Sequence, residues 1–164
     1  VVRQSVRPIE ILLVQSSASE VVLVREAMLL ARIINNVRVV DDAELALSYL
    51  HRRGRFDNAP RPDLLLVDNA LPGRSGLDLL AVLRDETEFA CLPVAILSDC
   101  EDPGVIERAR ALRADWFITK PVDADHLIRV VCSSSRLGLC LVALPDAALP
   151  NDDRPLHDRA GAVH

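Results

Sequence analysis

The chain has 164 residues, half of them apolar, enough for one domain with a full core and a short extension. Its formal net charge is −5 and no block of Lys or Arg stands out, which argues against nucleic acid as a partner. No apolar run approaches the roughly 18 residues that span a bilayer, and VVRQSVRPIE has no long apolar segment behind its basic residues, so neither a membrane span nor a secretory leader is expected.

Aromatic residues are 3% of the chain, so the core must be built from Val, Leu, Ile and Ala. The four cysteines, Cys91, Cys100, Cys132 and Cys140, form no CxxC. Thiols in a reducing cytoplasm are expected, not zinc ligands or disulfides.

Residues 1–8 read as an arm, and residues 9–14 (IEILLV) predict the first strand. Ser17 and Glu20 fit an S-x-x-E capping box, which starts a helix near residue 18 or 19. Val21, Val22, Val24, Met28, Leu29 and Ile33 form its apolar stripe. Asn35 and Asn36 read as a turn, and Val37, Val39 and Val40 as a short strand. Arg38 interrupts that strand, which suits a sheet edge. Asp42 caps a helix over residues 43–53 carrying Leu45, Leu47, Tyr49 and Leu50, with Gly54 as its stop and a loop over 55–61.

Residues 64–67 (LLLV) run unbroken into Asp68 and are closed by Pro72-Gly73, the pattern of a strand buried on both faces. A helix follows from about residue 76, with Leu77, Leu79, Leu80, Val82 and Leu83. Residues 94–97 form the fourth strand, Pro103 suits the first turn of a helix ending near 112, and 116–119 form the fifth strand. Asp123 starts a last helix expected to pass 136 toward 144, and 146–164, with two prolines and several Asp, read as a disordered tail.

Strand and helix alternate five times, which predicts an open, doubly wound parallel sheet with helices on both faces. Four of the strands end in polar residues: Gln15 and Ser16, Asp68, Ser98, and Lys120. Taken singly, Asp68 reads equally as a turn or cap residue, Ser98 as a turn hydroxyl and Lys120 as a solvated lysine. Taken together, they converge on the edge where α/β sheets bind ligands. A carboxylate there can attack a phosphoryl group and hold it as an acyl phosphate. The transition state spreads charge over the phosphoryl oxygens, which Lys120 and the Ser98 hydroxyl would contact, with a divalent ion supplying the rest. The phosphate cradles G-x-G-x-x-G and G-x-x-x-x-G-K-[ST] are missing, as is the G-x-S-x-G elbow. Ala70 stands where a paired-acid phosphohydrolase would carry a second Asp. His51, His126, His157 and His164 show no ligand spacing and read as surface residues.

ILLV followed by a polar pair, PDLLLVD with LPG and a Gly three residues later, VAILS, and WFITKP resemble the receiver domain of two-component response regulators. REAM, NN, the VV-D of the second strand, APRPDLLLVD and the VALP after the fifth helix further resemble the single-domain regulators paired with bacterial and cyanobacterial phytochromes. The resemblance covers residues 9–145 and implies a flavodoxin-like receiver fold, sheet order 2-1-3-4-5, with an extended C-terminal helix. It implies Asp68 as phosphoacceptor, Ser98 and Lys120 as phosphate contacts, Pro121 as a cis-proline, and Ser98 with Phe117 as the switch pair.

The family's acidic pair after the first strand, which helps hold Mg²⁺, is replaced by Gln15 and Ser16. The carbonyl that a metal would use falls at Ala70, and a backbone carbonyl survives the change of side chain. With two acids gone, Mg²⁺ binding at Asp68 is expected to be weak or absent; Asp99, Asp41 and Asp42 are the candidate substitutes. Two readings stay open. One is a cytoplasmic single-domain regulator, phosphorylated on Asp68 by a sensor histidine kinase such as a phytochrome, with output through protein contacts and no enzymatic activity beyond phosphorylation and dephosphorylation of itself. The other is an atypical receiver acting as a dimeric adaptor without phosphorylation. A homodimer is expected through helix 4, strand 5, helix 5 and the C-terminal extension, whose residues 137–144 are strongly apolar.

Overall fold

The computed structural model describes residues 7–133. Five strands form one parallel sheet: β1 (Ile9–Val14), β2 (Asn35–Val40), β3 (Leu64–Asp68), β4 (Val94–Ser98) and β5 (Trp116–Thr119). Their order is β2-β1-β3-β4-β5, as expected. The helices between them are α1 (Ala18–Leu30), α2 (Ala43–Leu50), α3 (Gly76–Asp85), α4 (Pro103–Ala111) and α5 (Ala124–Ser133). β3 and β4 are buried at every residue, as unbroken apolar runs in the middle of a two-sided sheet must be. β2 pairs only with β1 and lies at an edge, and its alternate residues are exposed.

The sheet divides the core in two. Ile9, Ile11, Leu13, Leu64, Leu66, Ala95, Leu97 and Ile118 pack with Val24, Ala27 and Met28 of α1 and Leu127, Val130 and Val131 of α5. Leu12, Val14, Leu65, Val67, Val94 and Ile96 face α2, α3 and Ala109 of α4 on the other side. Arg84 ties together the loops at the far end of the sheet. It is nearly buried, donates to the carbonyls of Phe89, Ala90, Leu92 and Arg113, and pairs with Asp115 at 3.2 Å. Burial pulls its guanidinium below the ordinary arginine value, and Asp115 only partly offsets this.

Several local expectations are corrected. Asn35 and Asn36 belong to β2: Ile9 and Glu10 draw them into register, and Asn36 Nδ2 donates to Glu10 Oε1 at 2.8 Å. Val22 and Leu29 do not join the buried stripe of α1. Seven residues apart, they share the face opposite Val24, Ala27 and Met28, and Leu29 is 77% exposed. α2 ends at Leu50, before Gly54. Arg52 takes the left-handed conformation at φ 54°, and Arg53 N–H closes on Ser48 O at 2.9 Å, completing a Schellman turn. Arg32 and Arg113, at φ 56° and 60°, end α1 and α4 in the same way. Gly54 instead opens a single 3₁₀ turn, Gly54–Phe56, inside the expected loop. His51 is not a simple surface residue, since Nδ1 meets Leu47 O at 2.8 Å and Nε2 meets Glu86 at 2.7 Å. α5 is described to Ser133; its expected continuation, the apolar run 137–144, the tail and most of the arm lie outside the described residues.

Candidate functional site

The polar strand ends meet at the C-terminal edge of the sheet, and strand parity decides which way each one faces. In β1, Ile9, Ile11 and Leu13 face the α1/α5 layer, so Gln15 continues that side. In β3, Leu64 and Leu66 do the same and Asp68 follows them; in β5, Ile118 does and Lys120 follows. Ser98 continues the opposite parity of Val94 and Ile96, and Phe117 packs with that second layer.

Asp68 is 3% exposed at the end of the central strand. Its Oδ1 accepts from Ala70 N–H at 3.0 Å and its Oδ2 from Lys120 Nζ at 2.9 Å. Lys120 Nζ also donates to Glu20 Oε2 at 2.8 Å and lies 3.5 Å from Asp99 Oδ1. Burial alone would lower the Lys120 pKa; the hydrogen bonds that the ammonium donates to Glu20 and Asp68, with the charges of both carboxylates, outweigh it and hold the ammonium above the ordinary lysine value of 10.5. The Lys120–Pro121 peptide bond is cis. Gln15 is 2% exposed and fully engaged: Oε1 accepts from Ser17 N–H at 3.0 Å, and Nε2 donates to Glu20. Ser16 points to solvent. An open cavity of about 240 Å³, lined by Gln15, Glu20, Leu23, Asp99, Lys120 and Pro121, lies beside this cluster.

The second layer reaches the edge differently. Ser98 is buried, but its hydroxyl turns into its own loop, donating to Cys100 O at 3.0 Å. Phe117 is half-buried against the α2/α3/α4 layer. The wall behind Asp68 is α3, whose first residue is Gly76. A Cβ at Gly76 would lie 2.5 Å from Asp68 O and 2.9 Å from Val67 Cγ1, so only glycine lets the helix approach this closely. Asn69 fastens the junction, its carbonyl accepting from Gly76 N–H at 3.1 Å and its Oδ1 from Leu77 N–H at 3.2 Å.

Glu20 was read from the sequence as half of a capping box. The Ser17 half forms, accepting from Glu20 N–H at 3.4 Å, but the Glu20 carboxylate leaves the helix end for Gln15 and Lys120. The available signal was position: Glu20 lies in the first turn of the helix that follows β1, at the same sheet edge as Asp68. Of the suggested substitutes for the missing acids, Asp99 reaches Lys120, and Asp42 is spent capping α2 at 2.8 Å from Leu45 N–H.

Mg²⁺ demands near-octahedral oxygen geometry. Both Asp68 oxygens are engaged, Gln15 is committed, Ser16 turns away, and Lys120 stands between Asp68 and Glu20. Among the described residues, no group of three or more His, Cys, Asp or Glu is placed to hold a metal ion.

The family profile for the response regulator receiver domain matches residues 11–132. The chain belongs to the response regulator receiver family. It is similar to the response regulator Rcp1 of Synechocystis sp., 28% identical over 140 residues that cover 85% of this chain and 95% of that protein. Among solved structures, the phosphorylated cyanobacterial phytochrome response regulator RcpA matches with a TM-score of 0.67 at 28% identity, covering 88% of this chain and 99% of that one. The bacteriophytochrome response regulator RtBRR matches at 0.70 and 28%, covering 80% and 79%. Rcp1 itself was solved in a Mn²⁺-bound form, with a TM-score of 0.66 at 26% identity and coverage of 87% and 99%. The receiver is thus a component of two-component signalling, in which response regulators partner with sensor histidine kinases. Among the described residues, no helix is long and apolar enough to cross a membrane.

Proposed function

We propose that this receiver is a single-domain response regulator that takes a phosphoryl group on Asp68 from a partner histidine kinase and signals through protein contacts. The observation that carries the proposal is a carboxylate buried at the end of the central strand, with the Lys120 ammonium 2.9 Å away. An Asp68 oxygen bonds to phosphorus while the bond from phosphorus to the donor breaks and the donor leaves with its electron pair. Lys120 meets the charge on the phosphoryl oxygens. Ser98, released from Cys100 O, turns toward them, and Phe117 follows. The resemblance to RcpA, RtBRR and Rcp1 supports a phytochrome-type kinase as the partner. A second copy of the chain is the proposed partner at α4, β5 and α5, and a monomeric mass by light scattering at micromolar concentration would remove it.

The engaged state of Gln15, Glu20 and Lys120 supports the second reading, an adaptor that works without phosphorylation. Incubation with acetyl phosphate, with and without Mg²⁺, separates the two by intact mass. An adduct lost in Asp68→Asn carries the first reading; no adduct under any condition carries the second. Weak Mg²⁺ binding is part of the proposal. If Gln15→Glu with Ser16→Asp brings no Mg²⁺ binding, the missing pair is not its cause.

A further inference from the structure

Lys120 is the only lysine in the chain, against eighteen arginines. An ammonium offers three donors, and three carboxylates stand round this one: Glu20 at 2.8 Å, Asp68 at 2.9 Å and Asp99 at 3.5 Å. Asp99 is 70% exposed and marginal, whereas Glu20 is braced from behind by the buried Gln15 amide. Gln15 is in turn anchored by Ser17 N–H, so a chain of fixed contacts runs from the end of β1 through α1 to the ammonium. Where the family carries an acidic pair, this chain has a neutral amide that orients a carboxylate in the first turn of α1.

We infer that Glu20 is a positioning residue of the Asp68 site: a fixed anion that shares the Lys120 ammonium with Asp68 and holds it back from an incoming phosphoryl group. The inference rests on the reading of Asp68 as phosphoryl acceptor. Glu20 opposes uptake in two ways. It competes with the phosphoryl oxygens for the Lys120 ammonium, the side-chain cation that pairs with Asp68 among the described residues, and it leaves a negative charge next to a site that must gain more. Both effects are weakened in Glu20→Gln, which removes the charge and keeps the size of the side chain. Glu20→Asp keeps the charge but withdraws it from Lys120.

The full chain labelled with ¹⁵N-lysine gives a single side-chain ammonium signal, and acetyl phosphate serves as donor with the adduct read by intact mass. Glu20→Gln should shift or broaden the ammonium signal and form the Asp68 adduct about tenfold faster than wild type. Glu20→Asp should perturb the signal and give a rate between the two, because it ends the competition for Lys120 but keeps the charge. Equal rates and an unmoved signal in Glu20→Gln overturn the inference. A slower, Mg²⁺-insensitive Glu20→Gln also overturns it, by making Glu20 a metal ligand. If no variant forms an adduct, the acceptor reading falls, and the ammonium signal alone decides whether Glu20 holds Lys120.

Discussion

Gly76→Ala tests the close approach of α3 to β3 on which the Asp68 site rests. The added methyl would lie 2.5 Å from Asp68 O, 2.9 Å from Val67 Cγ1 and 3.0 Å from Asn69 Cα. Two of these are backbone atoms of the central strand and its exit, so the helix must retreat. Overpacking of this kind costs about 1–3 kcal/mol. Retreat also stretches the Gly76 N–H bond to Asn69 O and the Leu77 N–H bond to Asn69 Oδ1, each worth about 1 kcal/mol. The lower entropy of alanine in the unfolded chain returns roughly 0.4–1 kcal/mol. The net expectation is a loss of about 3 kcal/mol, or about 10 °C in Tm for a domain of this size. Urea unfolding followed by the single tryptophan, Trp116, whose Nε1 bonds Ser133 Oγ at 2.8 Å, measures it. The urea midpoint should fall with an unchanged slope. A midpoint equivalent to less than about 0.5 kcal/mol from wild type would refute the close approach.

Arg84→Met removes the guanidinium from four carbonyls and should cost about 1–3 kcal/mol by urea unfolding, since the half-exposed Asp115 regains water. Arg84→Lys should recover little of it, because one ammonium cannot span those acceptors. Arg113→Gly should stabilise by about 0.5–1 kcal/mol, since the left-handed turn at φ 60° suits glycine and the carbonyl serving Arg84 is retained. Lys120 has a folded pKa above the ordinary lysine value of 10.5, so its stabilising contribution is complete below that value and is lost as pH rises through the folded one. Wild type should therefore lose its stability difference from Lys120→Met in alkaline unfolding titrations. The Asp78 carboxyl is held below its ordinary value of 3.8 by Arg108 first and by the Ser75 hydroxyl and N–H next. Its contribution is present above that value and lost as pH falls through the lower folded one, so Asp78→Asn and wild type should converge in acid unfolding.

The sheet was legible because its strands hold apolar runs that end at polar residues. Leu64–Asp68 and Val94–Ser98 show this most clearly. Pro103 and Asp42 marked helix starts because proline and a capping carboxylate act locally. Asn35 and Asn36 misled because β1 supplied a pairing register stronger than their turn preference. α1 misled because it is apolar nearly all round, so periodicity could not choose between Val24 and Leu29. The arginine helix ends were hidden because the left-handed position at Arg52 is set by closure onto Ser48 and not by residue type. At the site, Asp68 and Lys120 were readable from their strand ends. Glu20 was not, because Ser17 offered its acid a local role, and only the approach of β5 to α1 showed the other.

Eighteen arginines and one lysine give the chain, apart from any α-amino group, a single amine, and that amine lies at the site. Acylation of a lysine removes its charge, whereas arginine does not deprotonate in proteins. A reagent that acylates amines would thus change the side-chain charge of the whole molecule by one unit. That unit would come from between Glu20 and Asp68. In most proteins such modification reports on an average over the surface; in this one it reports on the pair of carboxylates that the ammonium bridges.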